Sequence, residues 1–164
     1  MSVGDRAARR PSRWLVIYLR NHEAAASAGT DLFARTSRSQ ADRPWGPALV
    51  GVAHDVAEDL RTLRGLMRTW GVRPDPVSGV ALRFGERVGR LKPNGRVVRR
   101  SPLSDLVEVE AGLDAVHAKA SGWQALRAAR GDAVPVHLDE LARRADDQLE
   151  RMRALHATVA AAVL

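Results

Sequence analysis

Between Pro47 and Trp70 the apolar residues Leu49, Val52, Val56, Leu60, Leu63, Met67 and Trp70 recur in steps of three and four. That spacing draws a single stripe along an α-helix, whereas a half-buried strand alternates every second residue. Gly71 supplies a left-handed cap, and Pro74 and Pro76 forbid continuation. A long helix with one apolar stripe is stable only when the stripe is covered, and other helices are its natural cover.

Three further segments have the same character. The first runs from an N-cap at Ser12 to about Thr36, with Tyr18, His22, Ala25, Ala26, Gly29, Leu32 and Phe33 on one stripe. The third opens with Ser101 as N-cap and Pro102 at the first helical position. It carries Leu103, Leu106, Val107, Leu113, Val116, Trp123 and Leu126 and ends near Arg130. The fourth follows Pro135. Asp139 and Glu140 suit its positive N-terminal dipole, and Leu138, Leu141, Ala145, Leu149, Met152, Val159 and Val163 line its inner face.

The links between these helices are unequal. The polar "SRSQADRPWGP" (Ser37 to Pro47) and the stretch from Gly131 to Pro135 are short, while the link between the second and third helices is long. Two hairpins joined by a long crossover make the topology of a ferritin-like four-helix bundle. Within the crossover, Val80 to Leu91 reads as a short amphipathic helix, with a β-hairpin turning at "KPNG" as the competing reading. The expected organisation is a disordered basic tail over 1–12 and one all-α domain over 13–164, a size that can bury a core unaided.

The chain has no cysteine, which excludes disulfides and thiolate chemistry and suits a reducing cytoplasm. The net charge of +7 is concentrated in two places. One is the arginine-rich start of the chain. The other is "RFGERVGRLKPNGRVVRR", where Arg83, Arg87, Arg90, Lys92, Arg96, Arg99 and Arg100 face a single acid, Glu86. Arginine forks suit phosphate, so this segment is a candidate site for an anion or nucleic acid, against a plainer reading as a solvated loop. No helix-turn-helix, glycine phosphate loop or nucleophile motif accompanies it. No apolar run approaches the ~20 residues of a membrane span. "ARRPSRWLVIYLRNHE" has too short an apolar stretch for an export signal.

The stretches "YLRNHEAAASAGTDLF", "HDVAEDLRTLRGLMRTWGV", "GERVGRLKPNGR", "SPLSDLVEVEAGLDAVHAKASGW" and "RADDQLERMRALHATVA" together resemble an actinobacterial family of ferritin-like four-helix bundles. The resemblance implies the fold and no particular activity. Di-iron bundles of this form need a Glu on each of two helices and a Glu-x-x-His pair on each of the others. No Glu-x-x-His occurs in this chain.

Helical phase places one polar residue per helix inward: His22, Asp59, Glu110 and Gln148. The leading reading is a hydrogen-bonded network that fixes register, because buried polar groups must find partners. Glu23 is out of phase with His22 and expected in solvent. The alternative is a reduced site for one divalent metal, built from His22, Glu110 and Asp59 or Glu58. Trp14, Trp45, Trp70 and Trp123 are candidate anchors of a homodimer, although at least three suit ordinary packing. The expected protein is a non-enzymatic bundle without cofactor, acting through its surface.

Overall fold

The computed structural model describes residues 11–75, 101–130 and 137–164. These residues form four helices: α1 (Arg13–Ser39), α2 (Gly46–Thr69), α3 (Pro102–Arg130) and α4 (Leu138–Val163), with no strand among them. The basic tail up to residue 10, the short crossover helix and the whole arginine-rich segment 83–100 lie outside the described residues.

Local chemistry sets the helix ends. Ser12 caps α1 by accepting a hydrogen bond from the Leu15 amide at 3.2 Å. Ser101 does the same for α3 through the Leu103 amide at 3.2 Å. At the end of α2, Gly71 adopts φ 67° and the Val72 amide reaches back to the Met67 carbonyl at 2.8 Å, so the chain turns out of the helix and buries Val72. Helix α1 runs three residues beyond the expected Thr36. Thr36 is itself buried, and its carbonyl accepts from the Gln40 amide.

α1 packs against α2 and α3, and α4 packs against α3 and α2. The side-chain pairings give the directions. Gln40, at the end of α1, meets Asp105 and Glu108 at the start of α3, while the Gly122 turn of α3 approaches His22 near the start of α1. These neighbours are therefore antiparallel. Asp55 on α2 meets Arg151 on α4, whereas Asp59, one turn further along α2, meets Gln148, so α2 and α4 are antiparallel as well. It follows that α2 and α3 run parallel on a diagonal. The end of α2 and the beginning of α3 lie at opposite ends of the bundle.

The apolar interior falls into two clusters. One gathers Leu19, Leu63, Leu66, Met67, Trp123, Leu126 and Leu138; the other gathers Phe33, Leu49, Val52, Val109, Val116, Met152 and Val159. Between them runs a tier in which the seam residues are polar. Asp59 follows Val56 and precedes Leu63, Lys119 stands between Val116 and Trp123, and Gln148 between Ala145 and Met152.

The far end of the bundle carries a second polar assembly. The fully buried Gln40 donates from Nε2 to the Asp105 carbonyl at 3.2 Å and to Glu108 Oε2 at 2.9 Å, and accepts from Trp45 Nε1 at 2.7 Å. Arg43 Nε lies 2.8 Å from Asp105 Oδ2. This assembly pins the α1–α2 loop to the start of α3 and places Trp45 in the core. Trp123 is also core, Trp70 is half-buried, and Trp14 is exposed. Among the described residues, no helix is long and apolar enough to cross a membrane.

Candidate functional site

The polar tier is built around one ammonium group. Lys119 Nζ donates to Asp59 Oδ2 at 2.6 Å and to Gln148 Oε1. Gln148 Nε2 donates to the same Asp59 oxygen at 3.1 Å. The other Asp59 oxygen lies 3.4 Å from Arg144 Nε. Asp59 and Gln148 are fully sheltered, and Lys119 nearly so. Burial pulls the lysine below its ordinary range, and the Asp59 charge opposes that pull. The tier is thus a closed circuit in which a carboxylate, an ammonium and an amide satisfy one another.

Outside this tier, α2 and α4 are joined by an ion-pair ladder. Arg144 Nη2 lies 2.5 Å from Glu58 Oε2, and Arg151 pairs with Asp55. Hydrogen bonding from Arg144 holds Glu58 below the usual carboxylate range. For Asp55, burial pushes upward, but Arg151 and Arg144 outweigh it and the net direction is down. Arg144 responds in kind: burial pulls it down, and the carboxylates of Glu58, Asp59 and Asp55 more than restore it.

On the α1 side the residues are small. A β-carbon placed on Gly29 would stand 3.5 Å from the Ala115 Cβ, and one on Gly122 would stand 2.9 Å from His22 Nδ1. Alongside this seam lies a half-open cavity of about 50 Å³ reached by α1, α2 and α3. Lys119, Asp59, His22 and Trp123 are among its lining residues, and the rest are apolar or small. Burial pushes His22 down, and its ring lies 4.3 Å from that of Tyr18.

The positions expected from the sequence divide clearly. Asp59 and Gln148 meet in the tier. His22 faces the interior but makes no hydrogen bond with a carboxylate among the described residues; its neighbours are Tyr18 and Gly122. Glu110 is exposed and pairs with His156 at 3.2 Å, so it corrects the inward assignment. The reason is phase. Glu110 stands seven residues from Leu103, in step with a side chain that is itself 52% exposed, and Val109 is the residue that turns into the core. Glu58 stands in the outer ladder. Glu23, expected in solvent, is buried and bound to Arg64 Nε at 2.8 Å, with Ser27 beside it.

These placements bear on a metal. His22, Glu58, Asp59 and Glu110 do not converge, and Asp59 already carries Lys119 and Arg144. A divalent ion there would sit beside two fixed positive charges, so the residues do not fit one. The His54, Asp55 and Glu58 side chains do come within 4.8 Å of one another on α2. Arg144 and Arg151 neutralise those carboxylates, which removes the negative charge a cation would need.

Lys119 is the participant that inward-facing acids and histidines did not reveal. Its signal was present in the seam Gly112, Val116, Lys119, Trp123 and Leu126, a 4-3-4-3 spacing with a lysine in its centre. Comparison with family models, curated proteins and solved structures finds no match for this chain.

Proposed function

We propose that this chain is a ferritin-like bundle without a catalytic centre, acting through its surface as an interaction or scaffolding module. The observation that carries the reading is Lys119. In carboxylate bundles of this topology the interior acids gather around metal ions. Here the interior acid Asp59 is answered by a cation that belongs to the chain, 2.6 Å away. The parallel placement of α2 and α3 supports a crossover along the bundle between residues 70 and 101, as in ferritin-like folds. Apolar side chains exposed at both ends, Trp14 and Ile17 at one and Val50, Leu103 and Leu164 at the other, support a role in assembly, including a homodimer.

The test is metal content together with oligomeric state. Protein purified without chelator and then offered Fe(II), Mn(II) or Zn(II) is expected to retain no stoichiometric ion after gel filtration. One equivalent of metal that disappears in Asp59→Asn would overturn the reading. Sedimentation of the wild type against Trp14→Ala and Leu103→Ala tests assembly. Strict monomers in all three, with no partner recovered by cross-linking in cells, would remove the interaction role.

A further inference from the structure

Helix α1 begins differently from the helix diagonal to it. At the same end of the bundle, the first turn of α4 carries Asp139 and Glu140, the usual complement of a positive helix end. The first turn of α1 holds no acid; it opens with Arg13 and Trp14. Trp14 is 75% exposed, and Ile17, three residues on, is 39% exposed. The Arg13 guanidinium stands over the Trp14 ring, 5.7 Å from its centre. Helical spacing sets Ile17 between Trp14 on one flank and Arg13 and Arg20 on the other. Arg20 Nε donates to the Arg73 carbonyl at 3.0 Å, which brings the exposed Arg73 to the same corner.

The charge around these apolar groups has one sign. From Arg6 to Thr30 the sequence holds Arg6, Arg9, Arg10, Arg13 and Arg20 against a single acid, Glu23. Glu23 is buried and bound to Arg64, so it offsets nothing at the surface. Asp75, beyond Arg73, is half-buried, and the exposed Asp139 and Glu140 stand at the diagonal corner. A second copy docked over a twofold would set Arg13 and Arg20 against their own equivalents, and like charges in close contact repel. A single-stranded nucleic acid needs successive rings on which to stack; here one tryptophan is followed by an isoleucine, and Tyr18 lies against His22. An anionic bilayer meets every feature. Headgroup phosphates take the arginines, while an indole and an aliphatic side chain settle at the boundary between headgroups and acyl chains. No described helix is long and apolar enough to cross, so the contact on offer is peripheral.

We propose that the start of α1 docks on an anionic phospholipid surface, with Trp14 and Ile17 seated among the headgroups and Arg13 and Arg20 on their phosphates. This rests on the surface role proposed above and names the partner of its α1 end.

The experiment titrates the full chain with vesicles of phosphatidylcholine alone or mixed with an equal amount of phosphatidylglycerol. Part of the phosphatidylcholine carries bromine on its acyl chains, which quenches tryptophan on contact. Binding is expected to the mixed vesicles alone, weakened by salt and accompanied by quenching. Trp14→Ala should remove the quenching and weaken binding about tenfold or more, as a large apolar side chain is lost from the interface. Trp14→Phe, a gentler change, should remove the quenching alone. Arg13→Ala should weaken binding about fivefold, the share of one cation near the surface. Arg153→Ala removes the same charge from an exposed position at the far end of the bundle and should change little. No binding to the mixed vesicles, equal binding to phosphatidylcholine alone, binding that leaves Trp14 unquenched, or equal losses from Arg13→Ala and Arg153→Ala would each overturn the assignment. So would a dimer of the free chain that Trp14→Ala dissociates, since the face would then belong to a second copy. A dimer that depends on Leu103, with no vesicle binding, would overturn this proposal and leave the surface role standing.

Discussion

The two contacts that join one helical hairpin to the other are built on opposite principles. Where α1 meets α3, side chains are withdrawn: Gly29 faces Ala115, Gly122 faces His22, and the backbones approach. Where α2 meets α4, side chains are extended and charged: Asp55, Glu58 and Asp59 reach Arg144 and Arg151. The first contact is held by shape, and at Gly122 an added methyl group would meet the His22 ring. The second is held by charge, tolerates separation, and stays partly wet. The Asp59–Lys119–Gln148 tier links them, since Lys119 comes from α3, and Asp59 and Gln148 from α2 and α4.

The largest expected effect comes from breaking that link. Lys119→Met leaves the buried Asp59 with the neutral Gln148 amide and the more distant Arg144, and should cost about 3–5 kcal/mol in urea unfolding. Replacing Asp59 with Leu in the same chain should recover part of it, because no buried charge is left behind, although the buried Gln148 amide loses both of its partners. Full persistence of the loss in the double variant would mean that the ion pair itself stabilises the fold.

The α1–α3 side is probed by Gly122→Ala. The new methyl group would stand 2.9 Å from His22 Nδ1, so the ring must move. Overpacking of about 1–3 kcal/mol opposes a helix-propensity gain of about 1 kcal/mol. In a His22→Ala background only the gain should remain, giving a coupling of about 1–3 kcal/mol in a double-mutant cycle. Gly51→Ala is the control, since a methyl group there meets nothing within 4 Å, and it should stabilise by about 0.5–1 kcal/mol.

Acid separates the two sides further. Burial lowers the His22 pKa in the folded chain, so below its ordinary value of 6.5 the unfolded state binds more protons and stability falls as the pH drops. His22→Phe should flatten this limb of a stability–pH profile. The Asp55 and Glu58 pKa values are also lowered on folding, from ordinary values of 3.8 and 4.5. Their contribution is complete above those values and is lost as the pH falls through the folded ones, a separate and more acidic limb.

The smallest effect should be in the ladder. Arg151→Ala removes a half-exposed partner of Asp55 and Asp147 and should cost about 0.2–1 kcal/mol, less at high salt. A cost near that of Lys119→Met would show that the ladder, rather than the buried tier, holds α2 against α4.

Much of this was legible in the sequence, and the exceptions have a common cause. The caps at Ser12 and Ser101, the turn at Gly71 and the stripe of α2 are local, since hydrogen-bonding groups a few residues apart decide them. Asp59 and Gln148 could be placed inward because their own helices have clean stripes. Glu110 could not, because α3 has a broad apolar face and its exposed Leu103 offered a false phase reference. Glu23 was equally hidden. One position from the seam its carboxylate reaches the α1–α2 contact, and whether that spot is wet depends on Arg64 from another helix.

The sequence by itself determined four helices, the caps at Ser12, Gly71 and Ser101, and the presence of polar residues such as Asp59 and Gln148 on apolar seams, because period and capping are properties of a single stretch of chain. Only the tertiary structure decided which polar residues meet. The azimuth of each helix and its level against its neighbours are set by packing whole faces together, and no single helix carries that information. Lys119 therefore reads as one lysine among many charges in the chain, and becomes the central cation of the interior only when α2 and α4 close around it.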